Sequence, residues 1–111
     1  MNDPDPARRH CMPLPASTAP LDRVRAEALL AGLDGWVLDG GKLCKTFRFA
    51  DYHQTVAFVN ATAWISHRED HHPDIALGYG QCTITYSTHS VGGLSENDFI
   101  CAAKIDALFA L

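Results

Sequence analysis

The chain has 111 residues, 47% of them hydrophobic and 20% charged, with a formal net charge of -4 at neutral pH. This is the make-up of one soluble globular domain with a single modest core. The acidic balance excludes a nucleic-acid footprint, which needs clustered Lys and Arg. No apolar run approaches the roughly 18 residues of a membrane span. The first twenty residues also lack the apolar segment of a signal peptide, so a cytoplasmic protein without a membrane partner is expected. Cys11, Cys44, Cys82 and Cys101 are scattered, and without a Cys-x-x-Cys pair they read as reduced thiols, not as a disulfide framework.

Residues 1–20 carry prolines at positions 4, 6, 13, 15 and 20 and few large apolar side chains. They are expected to form a disordered, proline-rich N-terminal tail, leaving residues 21–111 as the folded domain. From Leu21 to Ala31 the residues favour helix, with Leu21, Val24, Ala28 and Leu29 able to share a face and Gly32 placed to stop it. Residues 35–49 read as a β-hairpin: Trp36-Val37-Leu38, a turn at Asp39-Gly40-Gly41, then a strand from Leu43 to Phe49. Asp51 is an N-cap candidate with Gln54 three residues on. The helix it opens sets Tyr52, Val56, Val59 and Ala63 at helical spacing and should run to Arg68 or Asp70.

After Pro73, Ile75 to Tyr79 forms the first arm of a second hairpin, with the bend at 78–80. In the next arm Cys82, Ile84, Tyr86 and Thr88 face one way and Thr83, Thr85, Ser87 and His89 the other. His89 is therefore expected at the strand's end, on its more polar face. Ser95 and Asp98 form a capping box, Leu94 and Phe99 a hydrophobic staple, and a last helix follows from Glu96 to about Phe109. The expected fold is α+β in the order α-β-β-α-β-β-α: a single four-stranded antiparallel sheet covered on one face by three helices.

The chemistry concentrates between His67 and Asp98. His71, His72 and His89 fall within nineteen positions, and histidine is the side chain whose ordinary pKa, about 6.5, suits proton transfer near neutrality. Pro73 disfavours helix at His72, which places His71 at a helix C-terminus and His72 on extended backbone. Each residue also has a plainer explanation. His71 can simply favour the negative end of a helix, Asp98 is accounted for by capping, and Trp36 can be core. His10 and His53 read as surface residues. His67 and His71, four apart, would share a helical face and with His89 could form a three-histidine metal site. However, no glutamate directly follows the first histidine as in the metalloprotease motif, and no metal is expected.

The ordered set His67, His71-His72-Pro73, Tyr79, Ser87-Thr88-His89 and Asp98 resembles the pterin-4a-carbinolamine dehydratase family. Gly35-Trp36, Phe47-Arg48-Phe49, Phe58-Val59-Asn60 and Gly92-Gly93-Leu94-Ser95 extend the likeness over roughly residues 21–110. One departure is His67, where the family usually has a carboxylate; the nearest here is Glu69. The resemblance implies the same α+β fold and loss of water from a 4a-hydroxytetrahydropterin, giving the quinonoid dihydropterin, without metal or other cofactor. It also implies His71 and His89 as acids flanking the C4a hydroxyl and His72 as a positioning group. Trp36, Asp70, Pro73, Ser87, Thr88 and Asp98 would lie around the pterin, with Asp70 or Glu69 able to hold one imidazole protonated. A homodimer or homotetramer is implied as well. The family also contains dimerisation cofactors of a homeodomain transcription factor, so a coactivator role, or pterin binding without turnover, are the alternatives.

Overall fold

The computed structural model describes residues 5–110, and expectations that reach residues 1–4 or 111 fall outside the described residues. Three α-helices, α1 (Arg23–Leu30), α2 (Tyr52–Glu69) and α3 (Glu96–Ala107), alternate with strands β1 (Val37–Asp39), β2 (Lys42–Arg48), β3 (Asp74–Leu77) and β4 (Gln81–Tyr86). The strands make one antiparallel sheet in the order β1-β2-β4-β3. This is the α+β architecture expected from the sequence.

Local chemistry accounts for the boundaries. Asp22 caps α1 by accepting the Arg25 N–H at 2.8 Å, and Asp51 caps α2 by accepting that of Gln54 at 2.8 Å. Gln54 reaches back in turn, its side-chain oxygen accepting the Ala50 N–H. The β1–β2 loop is two glycines, Gly40 and Gly41, with φ of 58° and 76°. These left-handed values match the twist of a tight hairpin and cost glycine little. At the other hairpin Gly80 must be glycine for space, because a Cβ there would stand 2.9 Å from the Phe49 carbonyl oxygen.

The core lies between the inner sheet face and α2 and α3. Leu43, Phe47, Cys82, Ile84 and Tyr86 point inward and meet Phe58 of α2 and Phe99, Cys101, Ala102 and Ile105 of α3. Burying an aromatic or branched aliphatic side chain of this size is worth about 1.5–3 kcal/mol. Leu94 and Phe99 are both buried, as the staple requires. The outer sheet face is polar, with the Thr46 and Thr83 hydroxyls 2.8 Å apart and Arg48 bonded to Gln81.

Two helix faces differ from expectation. In α2 the buried positions are Thr55, Phe58, Thr62 and Ser66, while Tyr52 is exposed. The hydroxyls explain it. Thr55 Oγ1 donates to the Asp51 carbonyl and lies 2.9 Å from that of Tyr79, and Thr62 Oγ1 donates to Val59. A hydroxyl that bonds a backbone carbonyl can be buried at little cost, so hydropathy alone misplaces the stripe. In α1 the buried residue is Ala26, and Val24 is 79% exposed.

The N-terminal segment also departs from the sequence expectation of a tail apart from the core. Residues 5–20 run across α3. Lys104 Nζ donates to the Ala7 carbonyl, Asn97 exchanges two hydrogen bonds with the backbone of Met12, and Glu69 accepts the Cys11 N–H at 2.7 Å. Proline density lowers the freedom of an unfolded segment, and here backbone groups freed from secondary structure find side-chain partners on the domain.

Candidate functional site

The last turn of α2 sets up the site. Asp70 adopts a left-handed conformation with φ of 50°, and the His71 N–H returns to the Ser66 carbonyl at 3.2 Å. That 6→1 bond closes the helix, so His71 lies past the helix end and points inward. The rings of His67 and His71 therefore do not share a helical face: His67 is exposed on α2, 5.5 Å from the Trp64 ring.

His71 is wedged between two elements. Its ring stacks on Tyr86 of β4, with centroids 5.5 Å apart and planes at 15°. Its Nε2 stands 2.5 Å from Oδ1 of Asp98 on α3. Asp98 has no exposed surface, and its other oxygen accepts from Thr88 Oγ1 at 2.8 Å and from the Ser95 N–H at 2.9 Å. The Thr88 and Ser95 hydroxyls are themselves 2.7 Å apart. Capping and site are thus one arrangement, since the carboxylate that caps α3 also holds the imidazole. A buried carboxylate needs such partners, because an unpaired one would be very costly.

The electrostatics of His71 follow from this pair. Burial works against the protonated ring, but the hydrogen bond and negative charge of Asp98 outweigh it, with smaller contributions from Cys101 and Asp70. The net effect raises the pKa of His71 above its ordinary value. The carboxylate that does this is Asp98 first and Asp70 only secondarily. Glu69 faces the N-terminal segment, where it bonds His10 and the Cys11 N–H and lies 3.9 Å from Lys104. Burial pushes the Glu69 carboxyl up, and these donors and charges overcome it and hold it below the usual range. Its histidine partner is His10, and no hydrogen bond joins it to His71, His72 or His89 among the described residues.

His72 and His89 are exposed. Pairing of β4 ends at Tyr86, and beyond it only an isolated bridge joins Thr88 to Gly93. His89 therefore opens a single 3-10 turn, His89–Val91, instead of ending the strand. Ser87, Thr88 and His89 line a depression of about 270 Å³ with Gly40, Gly41 and Gly93. His71, Thr88 and Asp98 come together through hydrogen bonds; among the described residues none joins the rings of His72 or His89 to that cluster. Asp70 is exposed beside His71, and Pro73 and Ser87 are half-buried.

Trp36 is the main departure. It is 4% exposed, donates its indole N–H to Asp106 at 2.9 Å, and packs edge-on to Phe47. It is a core residue, in ring contact with Tyr86. The participants that sequence reasoning overlooked are Tyr86, as the platform for His71, and the cysteines beneath it. The inward alternation of β4 was the available signal for Tyr86, but nothing in a linear sequence pairs it with residue 71.

The chain is similar to known proteins of one family. The family model for pterin 4 alpha carbinolamine dehydratase matches residues 19–108. A relative from Nitrosospira multiformis, provisionally named pterin-4-alpha-carbinolamine dehydratase, is 55% identical over 107 residues, covering 96% of this chain and 95% of that protein. One from Xanthomonas campestris pv. campestris with the same provisional name is 56% identical over 102 residues, or 90% of this chain and 86% of the other. Among solved structures, a transcriptional coactivator/pterin dehydratase from Brucella melitensis superposes with a TM-score of 0.77 at 30% identity, covering 80% of this chain and 97% of that one. A pterin dehydratase-like protein described as a RuBisCO assembly factor in the alpha-carboxysome gives 0.58 at 35% identity, covering 67% and 88%.

Proposed function

The chain belongs to the pterin-4a-carbinolamine dehydratase family, and from that premise we propose that it removes water from a 4a-hydroxytetrahydropterin by histidine general acid–base catalysis. The observation that carries this is the His71–Asp98 pair. Asp98 accepts the Nε2–H of His71, which leaves Nδ1 as the nitrogen that exchanges a proton with a ligand. A buried carboxylate raises the pKa of that ring and so favours its protonated form, the state a general acid requires.

Dehydration needs a proton for the hydroxyl that leaves C4a and a base for the proton on N5, whose lone pair forms the new C=N bond. His71 and His89 flank the C4a hydroxyl as acid groups and His72 positions the pterin, since exposed rings at 72 and 89 are open to a ligand while His71 is fixed. The ring that gives its proton to the departing hydroxyl is left neutral and takes up the N5 proton, which restores it. Ser87, Thr88, Asp70 and Pro73 border the substrate. Asp98 acts through His71, and Trp36 supports the Tyr86 platform from within the core. Groups placed this way contribute about 10²–10⁴-fold, and no metal or cofactor enters the step.

A homo-oligomer is part of the same reading. β3 is a sheet edge in which all four residues are exposed, with Ile75 and Leu77 at 39% and 43%. Unpaired edge backbone beside apolar side chains is suited to pairing with a second copy. The four cysteines are free thiols, which suits a cytoplasmic setting.

The test is a dehydration assay on freshly generated 4a-hydroxytetrahydropterin, measured above the spontaneous rate. Acceleration that disappears in H71A is the expected result. A protein that binds the pterin and leaves its dehydration at the spontaneous rate refutes the proposal and favours a non-catalytic role, such as the coactivator and assembly-factor roles named for the two structural relatives.

A further inference from the structure

Beneath His71 lies a pair of thiols that the proposed dehydration does not use. Cys11 Sγ and Cys101 Sγ are 3.5 Å apart although the residues are 90 positions apart in sequence. Cys101 is fully buried on α3 and Cys11 half-buried on the N-terminal segment. Their approach is enforced by the surroundings. The Cys11 N–H is held by Glu69, the next residue by two bonds to Asn97, and the start of the segment by Lys104 bonded to Ala7. The other two cysteines lack this arrangement: Cys82 faces inward from β4, and Cys44 lies on the opposite side of β2 from Leu43 and Phe47.

We propose that Cys11 and Cys101 form a peroxide-sensitive dithiol whose oxidation to a disulfide staples the N-terminal segment to α3. The two sulfurs, 3.5 Å apart, need to close by about 1.5 Å to reach bonding distance, about 2.05 Å. Such a movement is within side-chain rotation at a segment outside the regular elements, whose bonds at Met12 are exposed.

The surroundings also select the attacking sulfur. A hydrogen bond with Cys11 favours the Cys101 thiolate; burial opposes it, and the charge of His71 and the Tyr86 hydroxyl add support, so that the Cys101 pKa is lowered. The same hydrogen bond, with burial, drives the Cys11 thiol up. One proton is thus shared; the Asn97 carbonyl 3.5 Å from Cys11 Sγ can only accept, which keeps that proton on Cys11 and leaves Cys101 as the nucleophile. In the first step the Cys101 thiolate attacks one oxygen of hydrogen peroxide. The O–O bond breaks, hydroxide leaves and takes up a proton, and Cys101 becomes a sulfenic acid. In the second step the Cys11 sulfur attacks that sulfenic sulfur, the S–O bond breaks, and water departs. Two thiols and one peroxide give one disulfide and two waters.

The experiment treats the full chain with stoichiometric hydrogen peroxide, blocks remaining thiols, and maps peptides without reductant. The expected result is a peptide pair joined through Cys11 and Cys101, with Cys44 and Cys82 blocked. Closing so long a loop should also raise Tm by about 10 °C, reversibly with dithiothreitol. The C11S variant removes the half-buried partner, spares the buried one, and should show neither link nor rise. Oxidation that leaves Cys11 and Cys101 unlinked, or a linked protein whose Tm does not rise, overturns the proposal. Neither readout depends on dehydratase activity.

Discussion

His71 Nε2 and Asp98 Oδ1 are 2.5 Å apart across the junction of the α2–β3 turn with the first turn of α3. One carboxylate therefore caps a helix, accepts from Thr88, and orients an imidazole. Loss of its charge should be felt in both folding and turnover.

Asp98→Asn retains the shape of the cap and removes the charge. A neutral amide no longer favours the protonated imidazole, and an Asn nitrogen would meet donors that now bond Oδ1 or Oδ2. Dehydration should fall by about 10²-fold, and stability by about 2 kcal/mol from the weakened cap and network. Steady-state dehydration rates and urea unfolding check the two effects separately.

His71 also predicts a pH dependence of stability. Its folded pKa is raised above the unfolded value, so the folded state holds this proton more tightly. The stabilisation is then fully present below about pH 6.5 and is lost as pH rises through the raised value. Melting temperatures of wild type and His71→Gln, measured from acid to mildly alkaline pH, should converge as pH increases. A constant difference would show that Asp98 does not shift this ring.

His72→Ala and His89→Ala should each lower dehydration by 10-fold or more while Tm stays within about 2 °C, because neither ring is buried. If both variants turn over at the wild-type rate, the substrate does not occupy the depression beside Ser87 and Thr88.

Removing residues 1–20 should destabilise the domain. The segment supplies hydrogen bonds to Asn97, Lys104 and Glu69 and covers Cys101. A loss of about 1–2 kcal/mol, or roughly 5 °C in Tm, is expected. Glu69→Gln should reproduce part of it. The Glu69 carboxyl is held below its ordinary range, so its contribution is present above about pH 4.5 and disappears as pH falls through the lowered value. An unchanged Tm in the truncated chain would mean that the segment docks without stabilising.

Ile75→Lys combined with Leu77→Lys tests the β3 edge. Both side chains are exposed in one chain, so the folded protomer should persist while light scattering reports a smaller assembly. An assembly of unchanged mass would move the interface elsewhere.

The strand order rests on pairing of β2 with β4 across more than thirty residues, whereas hairpin turns and helix starts could be read from the sequence because each depends on neighbours within a few positions. The Gly40-Gly41 turn, the Asp51 cap, the Ser95–Asp98 box and the inward alternation of Cys82, Ile84 and Tyr86 are of this kind. The His-His-Pro spacing and Asp98 pointed to the family for the same reason, through order along the chain. What only tertiary structure decided involves partners far apart in sequence. The burial of Thr55 and Thr62 depends on carbonyls that accept their hydroxyl protons. Trp36 belongs to the core because Asp106 stands 2.9 Å from its indole nitrogen. Glu69 turns to the N-terminal segment because Cys11 and His10 meet it there. Hydropathy records how a side chain fares in water on its own; it is silent on which distant group will satisfy its hydrogen bonds, and in this protein that decides which polar residues are buried and which imidazole has its pKa raised.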